Sequence, residues 1–171
     1  MRAEGADCGQ LGPAVRARLA AEQAALVRAL VEHAPPPAGF DPARLTLAAE
    51  SLGRKRICAV ARAWPGLAGA LGPHFSERFA AFAATSSIPH SGGPLADGRA
   101  FARALARDAR LPDAGRIESL AVDLRYSSGP SGLKPRRGPA IAVALLTTPR
   151  RLVVAVRLPW LGERWWTMPL G

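Results

Sequence analysis

The sequence predicts an α+β chain, an N-terminal helical bundle followed by a small C-terminal antiparallel sheet. Apolar residues recur at helical spacing from Val15 to Leu105, and proline and glycine pairs divide that stretch into segments. From Ala140 onward the apolar period becomes two. The predicted organisation is a disordered start at 1–10, a helical domain at 11–126, a basic Gly/Pro loop at 127–139 and the sheet at 140–171.

Pro13 stands where a first helix begins, and Pro35-Pro36-Pro37 ends it. Between them Val15, Leu19, Gln23, Leu26 and Leu30 share a face, with Arg16, Arg18, Glu22 and Arg28 elsewhere. Asp41-Pro42 opens a second helix, the carboxylate capping free amides and the proline at the first helical position. Phe40 and Leu45 have the spacing of a hydrophobic staple, and the helix is expected to run to Ala63 despite Gly53. Trp64-Pro65 and Gly72-Pro73 are breaks. After them Phe75, Phe79 and Phe82 place three rings on one helical face, a stripe expected at the centre of the core.

Residues 86–93 read as a loop, after which Asp97 is expected to cap a helix with Phe101 and Leu105 facing inward. Arg99, Arg103 and Arg107 then form a guanidinium row along its outer face. Leu111-Pro112 interrupts the pattern. Ile117, Leu120, Ala121 and Leu124 fit a helix, while Leu120, Val122, Leu124 and Tyr126 fit a strand equally well, so periodicity leaves 114–126 open. Two strands follow, one with Ile141, Val143 and Leu145, the other with Leu152, Val154, Val156 and Leu158. Their hairpin tip falls at 148–150, 159–162 makes a second turn, and 165–168 supplies a third short strand.

At 171 residues and 49% hydrophobic composition, the chain can bury a core and is too apolar for intrinsic disorder. Its formal net charge of +10 suits an acidic partner such as nucleic acid, an anionic membrane or an acidic protein face. A GC-rich coding bias explains the same charge, since lysine occurs only at Lys55 and Lys134 while Arg, Ala, Gly and Pro abound. The first eight residues lack the apolar stretch of a secretory signal, and Thr147-Thr148-Pro149-Arg150-Arg151 breaks the longest apolar region. The expectation is a cytoplasmic protein with reduced thiols and no membrane association.

The residues that carry chemistry are sparse. With only Cys8 and Cys58, neither a disulfide framework nor a four-cysteine zinc site is available. His33, His74 and His90 are far apart, without metal-ligand spacing. Phosphate-binding glycine loops and the Gly-x-Ser-x-Gly elbow are missing, and the thirteen carboxylates show no compelling pair. Cys58 lies beside Arg54, Lys55, Arg56 and Arg62, but a lone helical cysteine more often packs in a core than reacts. No catalytic residue, cofactor or metal is predicted.

Recognition features remain. They are Arg54-Lys55-Arg56 on the second helix, the Arg99/Arg103/Arg107 row, the loop cations Lys134, Arg136 and Arg137, and Trp160, Trp165 and Trp166 near the C-terminal end. Tryptophan and arginine dominate interface hot spots because each joins a large contact area to a polar handle. Cover for the exposed side of a thin sheet is an equally good reason for the indoles.

An ordered series of elements adds to this reading: Leu19 with Gln23, Ala63-Trp64-Pro65-Gly66-Leu67, Leu71-Gly72 with Phe75 and Phe79, Phe101, Leu111-Pro112 and Ile117-Glu118. Over roughly residues 11–122 the series resembles a bacterial family named for a DNA-binding domain, of which this chain looks like a shortened, actinobacterial member. That family includes the partner subunits of multinuclear iron oxygenases that modify ribosomally made peptides in methanobactin and bufferin maturation. Arg54-Lys55-Arg56 replaces the family's Tyr-Arg-Asn-type element before Trp64, and the C-terminal part is shorter. The resemblance implies a non-catalytic adaptor for an iron-oxygenase homologue and a precursor peptide, with Trp160, Trp165, Trp166, Arg99, Arg103 and Arg107 as candidate partner-binding residues. The alternative is a DNA-binding protein that uses Arg54, Lys55, Arg56, Lys134, Arg136 and Arg137 and lays the Arg99/Arg103/Arg107 row on phosphates. No compact helix-turn-helix spacing supports the alternative.

Overall fold

Prolines set where most of the helices begin, because a fixed φ and a missing N–H cost nothing in a first turn. Pro13 opens α1 (Pro13–Val31), Pro42 opens α2 (Pro42–Ala63) and Pro65 opens α3 (Pro65–Leu71). Pro73 precedes α4 (His74–Thr85), Pro94 lies in the first turn of α5 (Gly93–Arg107), and Pro112 precedes α6 (Asp113–Arg125). Five strands follow: β1 (Tyr126–Gly129), β2 (Gly132–Pro135), β3 (Ala140–Thr147), β4 (Arg150–Leu158) and β5 (Gly162–Pro169). The computed structural model describes residues 12–31, 34–129 and 131–170. Cys8, His33 and the expected disordered start lie outside them. Helices therefore precede antiparallel strands, the α+β order expected from the sequence.

The chain divides into two units, 1–52 and 53–171, with the division inside α2. In the first, Ala29 is the buried residue of α1, while Val15, Leu19 and Val27 stay exposed. The Asp41 carboxylate caps α2 as expected, accepting the Ala43 N–H at 2.9 Å.

The second unit holds the main core, where Trp64, Leu67, Phe75, Phe79 and Phe101 are buried together. The phenylalanine stripe sits at its centre: Phe101 meets Phe79 edge-on at 5.3 Å and Phe75 edge-on at 6.0 Å, a geometry the ring quadrupoles favour. Segment 113–125 is a helix, and the chain turns to strand at Tyr126. Helix formation there buries Leu120 and Leu124 and aims Glu118 at α3. The Glu118 carboxylate accepts the Gly66 and Leu67 N–H groups at 2.7 Å each, satisfying two free amides at the start of that helix.

Two expectations require correction. The 127–139 loop contains most of a β1–β2 hairpin, paired from Tyr126↔Pro135 to Gly129↔Gly132. Its anchor is tertiary, since Leu133 is buried in the core and its N–H donates to the Ser91 carbonyl. Gly132, at φ +120°, lies so close to the Ser91 carbonyl that no side chain would fit. Asp97 is not a cap: α5 begins four residues earlier, at Gly93, and Asp97 is buried within it.

β3, β4 and β5 form an antiparallel sheet in that order, with Ile141↔Val156, Val143↔Val154 and Leu145↔Leu152 in register. α6 packs against β3 and β4. Side chains alternate between faces, and the face toward α6 is the small one: Ala140 and Ala155 are buried with Leu124. Residues that carry the period-two signal in the sequence therefore occupy the opposite, outward face.

Candidate recognition surface

The outward face is apolar across all three strands. On β3, Ile141 is 72% exposed, and Val143 and Leu145 are also open. β4 contributes the half-buried Leu152, Val154 and Val156. Register adds Trp166 opposite Val154 and Met168 opposite Leu152, both exposed. Trp165 pairs with Ala155 and so belongs to the α6 side, while Trp160 stands at the β4–β5 turn, 89% exposed. The three indoles thus do not form one cluster. Trp166 belongs to the outward apolar face, Trp165 to the other face of the same edge strand, and Trp160 to the end of the hairpin.

Ion pairs engage two of the candidate cations, and backbone carbonyls a third. Arg56 reaches Asp97 through Nε at 2.7 Å and Nη2 at 2.8 Å, with both side chains largely buried and the guanidinium 5.6 Å from the Phe79 ring centre. Arg99 makes a second two-pronged pair, at 2.8 and 2.6 Å, with Asp123 of α6. Arg136 donates through Nε to the carbonyls of Asp123 and Tyr126. The expected outer row therefore keeps Arg103 and Arg107 exposed and turns Arg99 inward. Arg54, Lys55, Lys134 and Arg137 are exposed. Sequence spacing identified the cations but could not reveal carboxylates 41 and 24 residues away.

Two further carboxylates tie the sheet to α6. Glu163 of β5 accepts Arg125 at 2.7 and 3.0 Å; that bond, outweighing desolvation, holds its pKa below the ordinary carboxylate value. Asp113 accepts the Thr147 N–H at 3.0 Å and the Thr148 N–H at 2.9 Å at the β3–β4 turn. Burial alone raises its pKa, but these amides, the Thr147 hydroxyl and Arg116 together lower it. Both carboxylates were missed from sequence because neither sits in a motif; each is recognisable only by what it bonds.

Chemistry elsewhere is limited. A cavity of about 250 Å³ is lined by Trp64, Leu95, Glu118, Val122, Arg125 and Tyr126. Its charged groups already serve α3 and Glu163. Cys58 is exposed on α2, not packed in the core as a lone helical cysteine was expected to be. Among the described residues no group of three His, Cys, Asp or Glu side chains is placed to hold a metal ion, and no helix is long and apolar enough to cross a membrane.

A UPF0276 protein of Streptomyces avermitilis is 37% identical over 132 residues, covering 77% of this chain and 26% of that protein. The chain thus spans about a quarter of the length of that relative. No solved structure matches it significantly. The family model described as SCO6045-like, C-terminal domain matches residues 20–107, about half of the sequence. The chain belongs to the SCO6045-like, C-terminal domain family.

Proposed function

We propose that the chain is a non-catalytic recognition subunit that docks on a TIM-barrel multinuclear iron oxygenase and presents a peptide to it. One observation carries the reading: a relative joins a similar domain, in one polypeptide, to about three times as much further sequence. Domains that share one polypeptide commonly act together, so this domain's task is read as service to a neighbour. The resemblance to oxygenase partner subunits supplies the neighbour's chemistry. On this reading the helices dock on the oxygenase, and an edge of the sheet takes the precursor peptide as an added strand. Main-chain pairing supplies affinity, while Trp165 and Trp166, on opposite faces of edge strand β5, supply selectivity.

Co-expression with a genomically neighbouring iron-oxygenase homologue tests this. The two proteins are expected to co-elute, and Trp165→Ala/Trp166→Ala is expected to weaken peptide retention by the complex. Failure to co-elute at any salt concentration overturns the reading. A second reading, DNA binding, draws on the net charge of +10 and on exposed Lys55, Arg103, Arg107, Lys134 and Arg137. Arg56 and Arg99, engaged in internal ion pairs, leave that reading with fewer cations. Gel-shift titration distinguishes it by a steep fall in affinity with salt.

A further inference from the structure

The C-terminal end of α6 gathers more positive charge than its own surroundings offset. Arg125, its last residue, binds Glu163 of β5 in two prongs, and Arg157 is the register partner of Glu163 on β4, on the same face of the sheet. Arg157 donates through Nη1 to the Arg136 carbonyl at 3.0 Å. Arg136 in turn donates through Nε to the carbonyls of Asp123 and Tyr126, at 3.0 and 3.1 Å. Carbonyl acceptors fix these guanidinium groups without neutralising them. The Asp123 carboxylate is taken up by Arg99. Three cations thus gather around Glu163, and the dipole at the end of α6 offsets only about half a charge. The surplus is held in place before any ligand arrives, which lowers the cost of binding an anion.

Arg125 also lines the cavity between α6 and the start of α5, whose walls include Ala63, Trp64, Leu95, Ala121 and Val122. At about 250 Å³ it falls below the ~300–1,000 Å³ typical of small-molecule sites and suits a single side chain. Polar groups in its walls are engaged elsewhere: the Trp64 N–H donates to the Leu95 carbonyl, and Glu118 accepts two amides of α3. A nucleobase would leave its polar edges unmet against these walls, whereas an apolar side chain needs no partner. Charge and cavity together select a carboxylate joined to an apolar group. In a peptide, that is an acidic residue next to one the size of leucine or phenylalanine. β5 is an edge strand with Glu163 as its second residue, so a peptide strand added along β5 passes this end of α6.

We infer that the end of α6 holds an acidic peptide segment, with a carboxylate on Arg125, Arg136 and Arg157 and the adjoining apolar side chain in the cavity beside Arg125. This rests on the peptide-presenting reading and names which feature of the peptide is gripped. End-blocked tetrapeptides with a leucine or phenylalanine beside an aspartate, titrated into the full chain and followed by NMR, provide the test. Saturable binding at or below about 1 mM is expected, and about tenfold weaker binding when asparagine replaces the aspartate. Ala121→Leu, which fills the cavity, is expected to weaken binding about tenfold, with circular dichroism confirming its fold. Glu163→Gln removes the internal competitor for Arg125 and is expected to tighten binding severalfold, a change that loss of structure cannot produce. No binding by any of these peptides overturns the inference, as does binding indifferent to the aspartate, to the filled cavity or to Glu163→Gln. The adaptor reading then stands if the chain still co-elutes with the oxygenase homologue. A short oligonucleotide that binds where the peptides do not, and is displaced by Ala121→Leu, overturns the inference in favour of nucleic acid. Peptide binding by a chain that fails to co-elute supports this site and overturns the adaptor reading.

Discussion

Arg56 of α2 and Asp97 of α5 form a two-pronged ion pair, at 2.7 and 2.8 Å, with the carboxylate side chain only 4% exposed. It joins two helices across 41 residues of sequence beside the Phe79 ring. Two oxygens match two guanidinium N–H groups, and the Arg56 Nη2 also approaches the Ser86 carbonyl at 3.4 Å. Such a pair contributes little net stability over an apolar substitute of the same shape, but it is costly to break on one side.

Asp97→Ala is therefore expected to destabilise the chain by about 3 kcal/mol, because it strands a largely buried guanidinium. The double variant Arg56→Met/Asp97→Leu should recover most of that loss. Urea unfolding monitored by circular dichroism checks both; equal losses in the single and double variants would show that packing, not charge, dominates the site.

Gly98 follows Asp97 and faces the wholly buried Trp64, whose indole N–H donates to the Leu95 carbonyl at 3.1 Å. A Cβ at position 98 would overlap the indole ring. Gly98→Ala is expected to cost about 2 kcal/mol or more by overpacking, despite alanine's better helix propensity. A lower thermal midpoint with altered Trp64 emission is the expected outcome. A gain in stability would mean that the core yields easily around Trp64.

Acid sensitivity follows from Glu163 and Asp113. Both have folded-state pKa values below their ordinary values of 4.5 and 3.8, so their contribution is complete above that range. It is lost as pH falls through the folded-state values, when the unfolded chain binds the protons more readily. Arg125 is more than half exposed, so solvent screening keeps the Glu163 pair within about 1 kcal/mol. Glu163→Gln and Asp113→Asn are each expected to be less stable than the parent at neutral pH and to converge with it in acid. Denaturation midpoints across that range check the sign; a gap that widens in acid contradicts it.

Helix starts at Pro13 and Pro42, the phenylalanine stripe and the last three strands follow from local sequence, because proline geometry and apolar spacing act within a few residues. Tertiary partners decided the rest. Segment 113–125 is helical because Leu120 and Leu124 are buried and Glu118 reaches the start of α3, and the β1–β2 hairpin is held by Leu133 and Ser91. The basic patches are thinner than they read, since Arg56 and Arg99 find carboxylates far along the chain. The outward face of the sheet shows the division best. Alternation placed Ile141, Val143 and Leu145 on one side of β3, but only packing revealed which side α6 occupies. A helix can approach closely over alanines such as Ala140 and Ala155, so the small face was buried and the larger side chains were left open to water.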